Sequence, residues 1–171
     1  MLAINEHTIE LIKKKNAGDG TKVINLIKSI AKHAEEHSDD PYLIAMAERA
    51  RAVQESFESR QRSTAEALAA LLAEVVINEQ RKKEQAAKGF DGLTYFVYRT
   101  LVEADIPNAD NASRRIKEAF LAYPNWKSSE KELRELRAKV TIAIIAQMDD
   151  EEQVARLVED LFTLLEKADR I

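Results

Sequence analysis

STAEALAALLAEVVINEQRKKEQAAKG, residues 63–89, is the stretch on which the fold turns. Ser63 and Glu66 stand at capping-box spacing, where the hydroxyl takes a free N–H of the first turn and the glutamate reaches back to the cap. No Gly or Pro follows until Gly89, and both residues weaken or break helices. The stretch therefore reads as one helix running to Lys88 and stopped by Gly89. At about 1.5 Å per residue it spans nearly 40 Å. Its apolar face is Leu68, Leu71, Leu72 and Val75. Beyond Asn78 it turns polar, through Glu79, Gln80, Arg81, Lys82, Lys83 and Glu84. That end is expected to project into solvent or to fit a partner.

Working outward, the same signals recur. Thr21 can cap a helix carrying Val23, Leu26, Ile27 and Ile30 that fades near His37. Asp40 then Pro41 gives an acidic cap followed by Pro at the first helical position, with Leu43, Met46, Ala47, Ala50, Val53 and Phe57 as the apolar stripe. Asp91 can cap the next helix, apolar on two faces: Leu93, Phe96, Val97 and Leu101, and opposite them Tyr95, Tyr98 and Val102. Such a helix is usually central. Pro107 ends that region, and a short helix from about Asn111 places Ile116, Ala119 and Phe120 inward before Pro124. Ser129 and Glu132 form a second capping box; Asp150 opens the last helix. The run VTIAIIA (140–146) has strand-like residues, but it lies within a helical period. Ile9 and Ile12 suggest a short helix before the flexible stretch 16–20.

The expectation is an all-α chain of seven or eight helices in a single irregular bundle, with no sheet. Residues 1–20 are assigned to an N-terminal extension and 21–171 to a helical domain. Composition agrees. The chain has only four Gly and three Pro in 171 residues, about a third of average usage. A chain of this length buries about 70% of its unfolded surface and needs no covalent staple. There is no Cys, which excludes a disulfide scaffold, thiolate zinc sites and a Cys nucleophile and fits a reducing cytoplasm. No apolar run approaches a membrane span of about 20 residues, so no membrane partner is expected. The net charge of −4 argues against autonomous nucleic-acid binding, which usually shows a basic excess. The acids concentrate at the end: residues 149–171 hold eight against three bases, a solvated face or a dock for a basic partner.

Few residues carry chemistry. His33, Glu36 and His37 stand as H-x-x-E-H, the inverted zinc-peptidase pattern, and two His at i and i+4 can share a zinc. They lie at a highly charged helix end, which favours a solvated terminus over a zinc hydrolase. No phosphate loop exists, since Gly18 and Gly20 precede Thr21 and Lys22 in the wrong spacing. No Asp or Glu has Lys two positions later, so the (D/E)-x-K nuclease triplet is absent. No catalytic, cofactor or metal residue is assigned. Seven of the ten aromatics fall between 90 and 126. A core junction is the first reading of that cluster, and a partner hot spot the second.

Three stretches together resemble a known family: DPYLIAMAERARAVQESFESRQRST (40–64), KGFDGLTYFVYRTL (88–101) and PNWKSSEKELRELRAKVT (124–141). Their combination and order are similar to the C-terminal helical region of the restriction subunit of type I restriction–modification enzymes, over roughly residues 21–171. The resemblance implies a bacterial, cytoplasmic piece of a longer subunit. In the family that subunit also carries a metal-dependent nuclease and two ATP-driven DNA-translocating motor domains. ATP and magnesium would belong to those parts, and this region would have no activity of its own. It implies as partner the methyltransferase subunit of the methyltransferase–specificity core, with DNA met only through the intact complex. The candidate partner surface is Arg81, Lys82, Lys83, Tyr95, Tyr98 and Trp126. The alternatives are a DNA-contacting module using Arg81, Lys82, Lys83, Arg114 and Arg115, or a self-standing helical adaptor.

Overall fold

The structure is a computed structural model that describes residues 19–168. Seven helices make up this part: α1 (Asp19–Glu36), α2 (Pro41–Glu58), α3 (Thr64–Lys88), α4 (Gly92–Glu103), α5 (Ala109–Ala122), α6 (Glu130–Ile145) and α7 (Glu151–Leu165). The all-α expectation holds, with no strand among the described residues. None of their helices is long and apolar enough to cross a membrane. The short helix expected around Ile9 and Ile12, with most of the 1–20 extension, lies outside the described residues.

Local chemistry sets the helix ends where the sequence placed them. The side chains of Ser63, Asp91, Ser129 and Asp150 accept the N–H of Glu66, Thr94, Glu132 and Gln153 at 3.2, 2.8, 3.2 and 3.1 Å. Each such cap is worth about 1 kcal/mol. Burial alone would raise the pKa of Asp91. Hydrogen bonds from Thr94 and the Lys117 ammonium outweigh that and hold it below its ordinary value. Gly89 ends α3 at φ 66°, a left-handed conformation that a Cβ would strain. The strand-like run from Val140 is helical to Ile145, because its side chains continue the α6 period.

Two starts differ from expectation. Helix α1 already includes Asp19, so Thr21 lies within it. Helix α5 begins at Ala109, before Asn111, and Asn108 leads into it in the left-handed region without a side-chain cap bond. Asn is among the few residues that tolerate that conformation, so the start carries no ordinary cap signature.

The helices gather into two compact units, Met1–Gly89 and Phe90–Ile171, where the sequence reading drew one bundle. In the first unit α1, α2 and α3 enclose Val23, Leu26, Ile30, Leu43, Met46, Leu71 and Val75. Full burial of such a side chain contributes about 1.5–3 kcal/mol. Arg49 adds a two-pronged bond from α2 to Glu74 of α3, at 2.8 and 3.0 Å. Arg49 is exposed, so this pair adds at most about 1 kcal/mol. In the second unit Leu101, Ile116, Phe120, Trp126, Leu136, Ile144, Val158 and Phe162 form the centre of the core. The apolar period of each helix specified its inward face, but not which helices share a core.

Candidate functional site

The six residues proposed as a partner surface differ widely in burial. Arg81, Tyr95 and Trp126 are buried, Tyr98 is half-buried, and only Lys82 and Lys83 are exposed. The expected surface is therefore not a surface as drawn.

Arg81 shows why. Only 5% of it is exposed, although it sits in the run expected to be solvated. Its Nε donates to Asn78 Oδ1 at 2.7 Å, one Nη to Gln85 Oε1 at 2.8 Å and the other to Asp40 Oδ2 at 2.8 Å. The guanidinium carbon lies 4.6 Å from the Tyr42 ring centroid, a cation–π contact. Asp40 serves two helices at once. Its Oδ1 accepts the Tyr42 N–H at 3.1 Å and caps α2, while its Oδ2 takes Arg81 from α3. Arg81 is thus a strut between α2 and α3, and its charge-assisted bonds are stronger than neutral ones. Lys82 remains on the outside, 3.5 Å from Glu79 Oε1.

The aromatic segment is chiefly core. Trp126, 1% exposed, meets Phe120 and Phe162 edge-on, each with ring centroids 5.6 Å away. Phe120 and Phe162 stack on each other at 5.7 Å. Such pairs contribute about 0.5–1.5 kcal/mol beyond their area. Tyr95 is buried beside Tyr98, centroids 6.2 Å apart, and Tyr98 meets Phe90 at 5.7 Å. The first reading of the cluster, a junction between helices, describes the Trp126 group well.

His33 and His37 do come together, with ring centroids 4.7 Å apart. No group of three or more His, Asp or Glu side chains placed to hold a metal occurs among the described residues. Burial lowers the His33 pKa, and the neighbouring His37, Lys82 and Arg81 lower it further against the pull of Glu36. This surrounding positive charge repels a cation as it repels a proton. Of the alternative DNA-contacting set, Arg114 and Arg115 are exposed, and the Arg114 guanidinium lies over the Phe90 ring at 4.9 Å.

What the sequence reading passed over is the outward side of α3. Val76 and Ile77 are 42% and 47% exposed, and Ala65, Ala69 and Ala73 are exposed with them. The signal was present: two β-branched residues follow Val75 outside the Leu68–Leu71–Leu72–Val75 stripe. Compared with known protein families, curated proteins and solved structures, the chain matches none.

Proposed function

We propose that this chain is an assembly module: the C-terminal helical region of the restriction subunit of a type I restriction–modification enzyme. It would hold the nuclease–translocase subunit onto the methyltransferase–specificity core in the bacterial cytoplasm. In this reading ATP hydrolysis, magnesium binding and DNA cleavage belong to other parts of the parent subunit, and DNA reaches this region only within the complex.

The carrying observation is where the three family-like stretches fall in the fold. Residues 40–64 supply Asp40, Tyr42 and Arg49, which tie α2 to α3, and the Ser63 cap. Residues 88–101 supply the Gly89 stop, the Asp91 cap and the buried Val97 and Leu101. Residues 124–141 supply Trp126, the Ser129 cap and Leu136. Every stretch is rich in residues that decide where helices begin, end and join. A likeness concentrated there supports a shared helical scaffold, and a scaffold with an exposed apolar helix face suits assembly. Mixing the purified chain with the methyltransferase–specificity core and following co-elution tests the proposal. A complex at micromolar concentration is expected; its absence argues against this function.

A further inference from the structure

We draw no further inference here: the strongest candidate, the apolar surface patch of exposed Val76 and Ile77 on the outward side of α3, carries none because nothing in the structure shows what covers it.

Discussion

Replacing Arg81 with Met isolates the strut between α2 and α3. The substitution keeps much of the aliphatic stem and removes the guanidinium. Three acceptors then lose their donor: Asp40 Oδ2, Asn78 Oδ1 and Gln85 Oε1. The Tyr42 ring also loses the nearer cation, Arg81 at 4.6 Å, and keeps Arg49 at 5.7 Å. Removing one partner of a fully buried ion pair costs about 3–5 kcal/mol. Asp40 is partly exposed, with 20% of its side chain reached by solvent, so water can rehydrate it and the cost falls to about 2–3 kcal/mol. Asp40→Asn, which preserves a good N-cap, should cost less. In a double-mutant cycle the two positions should couple by about 1–2 kcal/mol. The assay is urea unfolding followed by far-ultraviolet circular dichroism, at low salt and in 1 M NaCl. Because Arg81 is desolvated, the loss should persist in high salt, where a surface pair would be screened. A loss below about 0.5 kcal/mol, the scale of an ordinary surface change, would refute the strut.

Trp126→Ala removes the indole between Phe120 and Phe162 and should cost about 3–5 kcal/mol, read as a lowered thermal midpoint; Trp126→Phe should cost visibly less. Arg60 holds φ 61° just past α2, where its N–H and those of Gln61 and Arg62 close the helix end onto Phe57 and Ser56. Arg60→Gly should therefore stabilise by up to about 1 kcal/mol, seen as a raised urea midpoint. The lowered His33 pKa gives a pH dependence. As pH falls below the ordinary value of 6.5 the unfolded chain takes up the proton first. Stability from this site is complete above about pH 6.5 and is lost as pH drops toward the folded-state value. Urea midpoints between pH 7.5 and 5 should fall for the wild type and fall less for His33→Gln.

The helix ends were legible because caps are local. Ser63, Asp91, Ser129 and Asp150 each act within three residues of themselves, so spacing alone reveals them. Asn108 was missed because it enters α5 through backbone conformation, without a side-chain bond to the first turn. The fate of Arg81 was hidden for another reason. A basic run on a helix reads as solvated, and the residue that draws Arg81 inward, Asp40, stands 41 positions away. Trp126 and Tyr95 share this limit, since aromatic type marks cores and interfaces alike. The division into two units was masked by Gly89. Gly89 serves as the stop of α3, and only residues 89–91 separate α3 from α4, too short a connection to announce a boundary.

Asp40 has a consequence for how this sequence can drift. Its two carboxylate oxygens hold different commitments, one to the first turn of α2 and one to Arg81. Ser, Thr or Asn at position 40 would honour the first and abandon the second. Glu would carry the charge on a stem too long to cap well. No exchange at position 40 alone is neutral, and neither is one at position 81. Relatives that keep this fold should therefore change the two positions together, pairing a neutral cap at 40 with an uncharged side chain at 81. An alignment in which Arg at 81 stands freely beside Ser or Ala at 40 would show that the two sites are independent.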